Sequence, residues 1–201
     1  LPKLTRAGFK GAIYATPATV DLLGVMLPDS AHIQESDAKR NAQRLRGKDA
    51  LPPLYTLQDA SDCLQQVRGI EYDREFAPRV GVRARFRDAG HILGSAIIEV
   101  WVTEHGDPTK LVFSGDLGQP GRPILRDPTT IEDADILVIE STYGNRQHKD
   151  FSATEEEMIG IVEKTLFERC GNVIVPAFAL GRTQEIPYHL HRLTSEARLR
   201  R

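Results

Sequence analysis

Two residues with donor chemistry for a divalent cation sit in glycine-flanked segments of this sequence. His91 lies in Ala89-Gly90-His91-Ile92-Leu93-Gly94-Ser95, and Asp116 in Phe113-Ser114-Gly115-Asp116-Leu117-Gly118. The glycines permit tight backbone turns, and a neutral imidazole nitrogen with a carboxylate oxygen suits zinc or manganese. Between the two, Ala96 to Val102 and Thr109 to Ser114 read as strands joined by the turn-forming cluster Glu104-His105-Gly106-Asp107-Pro108. A hairpin of that kind returns positions 91 and 116 to one open end, where they can approach each other. Residue types alone leave two explanations standing, metal ligation and ordinary loop hydrogen bonding, because zinc normally takes about three or four protein groups. The remaining histidines, His32, His105, His148, His189 and His191, are scattered over polar helices and turns.

Three further places carry polar chemistry. Glu140 follows the apolar run Ile136 to Ile139; at a strand end it suits either an acceptor that orients a ligand or positions a proton, or a structural cap or loop salt bridge. Tyr143, Asn145, Arg146 and His148 come next, and Arg146 and His148 fit either a phosphate contact or a solvated loop. Gly181, Arg182 and Thr183 open a helical pattern, and a helix N-terminus offers free N–H groups to a phosphate. The competing reading pairs Arg182 with Glu185.

The elements that must position these residues are mixed α/β. Gly11 to Ala15 reads as a strand, and Thr16-Pro17 as a helix start that leads into Val20, Leu22, Leu23, Val25 and Met26. Ser30 to Lys48 reads as a solvated helix and Leu57 to Val67 as another, after the break at Pro52-Pro53. From Val80 the period changes, with Val82, Ala84 and Phe86 alternating against charged residues as in a half-buried strand. Ile136 to Ile139 and Asn172 to Val175 have the wholly apolar character of buried strands. Between them a helix is expected, with a Ser152/Glu155 capping box, the face Met158, Ile159, Val162 and Leu166, and Gly171 as its stop. Pro187 interrupts the last helix, either from its first turn or as a kink.

Composition narrows the function classes. With 40% hydrophobic and 27% charged residues, the 201-residue chain can bury a core. Lys plus Arg number 26 against 28 Asp plus Glu, a formal charge of −2, so binding of a polyanion by bulk charge is excluded and any such site is local. Cys63 and Cys170 form no C-x-x-C pair, no apolar run approaches the ~18 residues of a membrane span, and LPKLTRAGFKG lacks a signal-peptide apolar region. A cytoplasmic location without membrane association is the expectation.

Four segments, AGHILGSAIIE (89 to 99), FSGDLG (113 to 118), ESTYGNRQH (140 to 148) and VPAFALGRTQE (175 to 185), resemble, in order and spacing, the beta-CASP branch of the metallo-β-lactamase superfamily. That branch contains RNA-processing and DNA-repair nucleases, and the chain looks most like its bacterial RNA-degrading members. LPKLTRAGFKGAIYATPATVDLL also resembles the stretch that follows the family's H-x-H-x-D-H metal cluster, so the likeness spans roughly residues 1 to 190. The resemblance implies a partial αββα sandwich over residues 1 to 142, without its first strands and H-x-H-x-D-H cluster, running into the start of a beta-CASP α/β domain over 143 to 201.

The resemblance also implies site residues. His91 matches a ligand of one of two zinc ions and Asp116 the carboxylate that bridges them, in a centre where metals about 3.5 to 4 Å apart activate water toward a phosphodiester. Glu140 matches the acidic residue of the branch's first signature motif, and the resemblance supports a role for the GRTQE run, with Arg182, at the RNA groove; Arg146 and His148 are the further candidate substrate contacts. The expected substrate is single-stranded RNA, with DNA less favoured. A fragment holding only two ligands is expected to bind zinc weakly, to be inactive alone, and to self-associate or form a homodimer through exposed apolar surface. Pro187 departs from the family's usual apolar residue. Two alternatives remain at this stage. One is another metallo-β-lactamase-fold hydrolase acting on DNA or a small ester; the other is a non-catalytic nucleic-acid-binding module.

Overall fold

The computed structural model describes residues 1–45, 51–146 and 151–200. His148 therefore lies outside the described residues. After the short helix α1 (Pro2–Arg6), strand β1 (Ile13–Ala15) runs into helix α2 (Pro17–Arg44). Thr16 is the N-cap of α2, its side chain accepting from the Thr19 N–H, with Pro17 in the first turn. The two helices expected across this region are one, continuous through Pro28. Gly24, four residues earlier, carries no side chain where the proline ring crowds the preceding turn.

Helix α3 (Leu57–Gln66) starts on a capping box in which Thr56 and Asp59 satisfy each other's backbone N–H groups, and it buries Ala60 and Cys63. It ends one residue before Val67, which instead begins strand β2 (Val67–Gly69), parallel to β1. The β-branched Val67 is buried there, so pairing across to Ile13 overrides the helical pattern.

The main sheet has the order β3 (Glu75–Arg79), β4 (Val82–Asp88), β5 (Ala96–Val102), β6 (Thr109–Phe113), β7 (Ile136–Val138). All neighbours are antiparallel except β6 and β7. The alternation from Val82 and the hairpin from Ala96 match the sequence reading; β3 was not foreseen. Phe76, Ala84, Phe86, Ile98, Val100, Leu111, Phe113, Ile136 and Val138 share one face through the strand register. At its β4 end that face is covered by β1, where the Tyr14 ring lies 4.8 Å from Phe76 and Phe76 lies 5.3 Å from Phe86. The opposite face carries Arg85 and Lys110 on either side of buried Glu99. Ala89, Ile97 and Val112 form a small core there with Leu117 and Ile131.

Two sequence expectations fail in a related way. The apolar run Ile136 to Ile139 has the composition of a buried strand, but its four residues are 49–58% exposed. The sequence predicts another over Asn172 to Val175, yet that segment forms no strand and Ile174 is 89% exposed. A buried parallel strand needs a ladder on each edge and a layer on each face. Among the described residues β7 has one neighbour, β6, and 172–175 has none.

Helix α4 (Phe151–Glu163) already includes Phe151, so Ser152 is inside it rather than its cap. A π-helical turn (Lys164–Glu168) follows, closed by the Gly171 N–H donating to Thr165 O. Leu166 falls in that turn and is exposed, because widening the helix rotates it off the face of Met158, Ile159 and Val162. Helix α5 (Arg182–Ser195) contains Pro187 beyond its first turn. Ile159 packs with Leu193 and Leu199 in a second core. Beside that core the Glu155 carboxylate meets Arg192 and Arg198.

Candidate metal and substrate site

Two loops at the end of the main sheet carry the donor residues. The first leaves β4 at Asp88 and returns at Ser95. Asp88 Oδ1 accepts from the Gly90 N–H at 2.9 Å, and Ser95 Oγ accepts from the N–H groups of His91 (3.1 Å) and Ile92 (3.2 Å). Gly94 O accepts from the hydroxyls of Thr16 and Thr19 at 2.8 and 2.9 Å. The N-terminus of α2 is thereby fastened to the His91 loop, and a side chain at Gly94 would strike Thr19.

The second loop leaves β6 at Ser114 and carries Asp116. It crosses the first almost backbone to backbone: the Gly118 N–H donates to Ala89 O at 2.8 Å. A Cβ at position 118 would stand 1.7 Å from Gly90 O and 2.8 Å from His91 N. This crossing brings His91 Nε2 to 4.0 Å from Asp116 Oδ2. The hairpin argument anticipated the approach; the glycine contact that sets its distance was not singled out.

Glu140 completes the arrangement from the end of β7. Its backbone N–H donates to Ser114 Oγ at 3.0 Å, and its carboxylate accepts from the Leu117 N–H, one residue past Asp116. That backbone hydrogen bond is the main reason the Glu140 carboxyl sits below the ordinary glutamate range; contacts with Thr142 and the field of nearby His91 act in the same direction. Glu140 is thus a carboxylate that pins the Asp116 loop. Sequence reasoning missed Ser95, Ser114 and Gly118, although each small residue stood inside a quoted motif.

His91 and Asp116 suit a shared cation. Both side chains are well exposed, 43% and 73%, and neither forms a hydrogen bond among the described residues. With ligand bonds of ~2.0–2.2 Å, closing their 4.0 Å separation onto one ion takes a side-chain adjustment of under an ångström. Among the described residues no group of three or more His, Cys, Asp or Glu is assembled for a metal.

Arg182 lies in the first turn of α5, after Gly181 at φ 80°. It is exposed and unpaired among the described residues; the ion pair with Glu185 does not form. Ile92 Cγ2 would lie 3.0 Å from a Cβ at Gly181, which sets the start of α5 directly on the His91 loop. Arg146 is exposed in the turn where its N–H donates to Tyr143 O at 3.0 Å. The structure thus brings His91, Asp116 and Glu140 together and seats the α5 N-terminus beside them. No helix among the described residues is long and apolar enough to cross a membrane.

No family model matches the chain. Against curated proteins it is 36% identical over 197 residues to Ribonuclease TTHA0252 of Thermus thermophilus, covering 96% of this chain and 41% of that protein. It is 30% identical over 191 residues to an RNase J-like protein of Methanocaldococcus jannaschii, covering 94% of this chain and 40% of the relative. It is 28% identical over 179 residues to cleavage and polyadenylation specificity factor subunit 3 of Dictyostelium discoideum, covering 89% of this chain and 21% of the relative. The chain therefore spans about two fifths of the length of the first two. These likenesses run over nearly the whole chain, and the chain belongs to the beta-CASP branch of the metallo-β-lactamase superfamily.

Proposed function

We propose that the chain belongs to a zinc-dependent ribonuclease, in which His91 and Asp116 are two of the metal ligands. The observation that carries this reading is the 4.0 Å approach of His91 Nε2 to Asp116 Oδ2 on crossed loops, with Glu140 bound to the Asp116 loop. When bound, divalent zinc supplies Lewis-acid polarisation of a phosphodiester and an acidified water. His91 would offer one nitrogen and Asp116 up to two carboxylate oxygens to such a centre. Glu140 holds the peptide after Asp116 and thereby orients that carboxylate. Arg182, and Arg146 from the loop after β7, are cations free to neutralise RNA phosphates; His148 belongs to the same proposed contact set.

RNA as substrate is supported by the names of the relatives, two of which are called ribonucleases or RNase-like and one a polyadenylation factor. The αββα arrangement is supported by the main sheet's apolar face. Tyr14 of the β1–β2 pair covers one end of it, while Ile98, Phe113, Ile136 and Val138 at the other end remain 36–52% exposed, as a second sheet broader than two strands would require. The separate core of α4 and α5 supports a domain beginning near residue 143. The same exposed apolar residues are the surface through which the chain would self-associate. A cytoplasmic location fits the free cysteines, Cys63 and Cys170.

With two ligands of the usual three or four, this polypeptide alone binds zinc weakly and leaves RNA intact. The test compares it with a protein that adds the H-x-H-x-D-H cluster and the remaining ligands, on 5′-labelled RNA and DNA with and without zinc. Zinc-dependent RNA cleavage by the longer protein, abolished by His91→Ala, is the expected result. Cleavage indifferent to His91→Ala, or confined to DNA, overturns the reading.

A further inference from the structure

Beside the His91 loop a cleft of about 230 Å³ opens between that loop, the 124–125 segment and the start of α5. Its walls are apolar: Ile92 and Leu93 come from the loop that carries His91, and Ile124 and Leu125 from the segment after Asp116. Ile124 is a β-branched residue at φ 73°, a conformation that persists only where surrounding structure imposes it. The volume lies below the ~300–1,000 Å³ of pockets for drug-sized ligands, which matches one planar heterocycle rather than a whole nucleotide.

The polar groups in the cleft are Gln184 and Glu185, both in the first turn of α5. Gln184 Nε2 already donates to Ala179 O at 3.0 Å, which leaves its amide oxygen and one N–H for a ligand. The Glu185 carboxylate interacts electrostatically with His189 one turn on but forms no hydrogen bond or ion pair with any described residue, and an ionised carboxylate only accepts. The principal unsatisfied groups are therefore acceptors set against apolar walls, next to the candidate cation site.

We propose that this cleft seats one nucleobase of the RNA strand and favours bases whose edge presents N–H donors, guanine above all. Guanine's N1–H and N2–H lie side by side and can both meet the Glu185 carboxylate, as paired donors do with a fork of two oxygens. Adenine and cytosine offer an amino group flanked by an acceptor. Uracil offers one N–H between two carbonyl oxygens, which the carboxylate repels. A site built to receive hydrogen bonds discriminates strongly against analogues that lack them. The inference rests on the ribonuclease reading for its ligand class, but its test does not use cleavage.

The experiment follows Ile and Leu methyl resonances of this chain while GMP, AMP, CMP, UMP or ribose 5-phosphate is added. The expected result is saturable shifts at Leu93, Ile124 and Leu125 with every nucleotide and none with ribose 5-phosphate, GMP binding at least ~5-fold more tightly than UMP, the worth of one net hydrogen bond. Glu185→Gln keeps the side chain's shape and replaces one acceptor with a donor, so the GMP preference should shrink to within ~2-fold. Leu93→Asn, at a 60% exposed position where folding is not at stake, should weaken all four nucleotides alike. Equal binding of GMP and UMP, equal shifts with ribose 5-phosphate, or a GMP preference that survives Glu185→Gln overturns the proposal. Base binding as expected in a protein whose longer form fails to cut RNA would count against the ribonuclease reading alone.

Discussion

Gly118→Ala isolates the step that builds the site, the crossing of its two loops. The added Cβ would lie 1.7 Å from Gly90 O, 2.2 Å from Gly90 C and 2.8 Å from His91 N, all backbone atoms that cannot swing aside. Restoring ordinary contact requires the loops to separate by roughly 1.5 Å, since non-bonded carbon contacts are comfortable near ~3.5 Å. That movement breaks the 2.8 Å bond from Gly118 N–H to Ala89 O. Overpacking of this kind costs ~1–3 kcal/mol and the lost hydrogen bond ~0.5–1.5 kcal/mol. A total of about 3 kcal/mol lowers Tm by about 6–12 °C in a chain of this size. The His91–Asp116 separation grows with the loops, so zinc affinity should fall by at least ~10-fold, the effect typical of disturbed support around a ligand. Thermal unfolding followed by circular dichroism, and zinc titration by calorimetry, read the two effects. Gly160→Ala is the control: its Cβ meets nothing within 4 Å, and in a helix it should be neutral or stabilise by up to ~1 kcal/mol. A Gly118→Ala protein with wild-type Tm and wild-type zinc affinity would refute the crossed-loop account.

Two other perturbations test separate parts of the structure. Burial alone would raise the Glu99 carboxyl, but hydrogen bonds from Arg85 (2.8 Å) and Lys110 (2.9 Å) outweigh it and hold the group below the ordinary glutamate range. Its contribution is therefore complete above the unfolded-state glutamate value and is lost as pH falls through the lower folded value. Glu99→Ala leaves Lys110 and Arg85 without their buried partner and should cost ~3–5 kcal/mol near neutrality, with the difference from wild type narrowing in acid; a constant gap in urea midpoints from pH 7 to pH 3 would contradict this. Glu140→Ala removes the acceptor of the Leu117 N–H, so amide exchange at Leu117 should accelerate about 10-fold, one charge-assisted hydrogen bond's worth, while exchange in β4 and β5 stays unchanged.

Locally encoded features were the ones readable in advance. Thr16-Pro17 declared the start of α2, the hairpin of β5 and β6 showed its turn, and the alternation from Val82 marked β4, because caps, turns and period-2 patterns act between residues close in the chain. Strand β3 escaped notice because Pro78 and its charged neighbours mask the alternation, and it is held by pairing with β4 at Phe76 and Ala84. The π-helical turn after α4 and the continuity of α2 through Pro28 likewise broke local rules. At the candidate site, His91, Asp116 and Glu140 were identifiable by residue type and motif, but their supports, Ser95, Ser114 and Gly118, were not.

From the sequence alone came the donor pair, the motif order that places the chain in its family, and the order of most helices and strands. Those depend on residue chemistry and short-range spacing. Tertiary structure decided the distance between His91 and Asp116, set by two glycines 28 positions apart in backbone contact. It also assigned Glu140 to the Leu117 N–H and left Ile136 to Ile139 exposed although their composition is that of a core strand. Apolar character measures what a residue gains if covered. Whether it is covered depends on which distant segments pack against it, and that is a property of the folded chain.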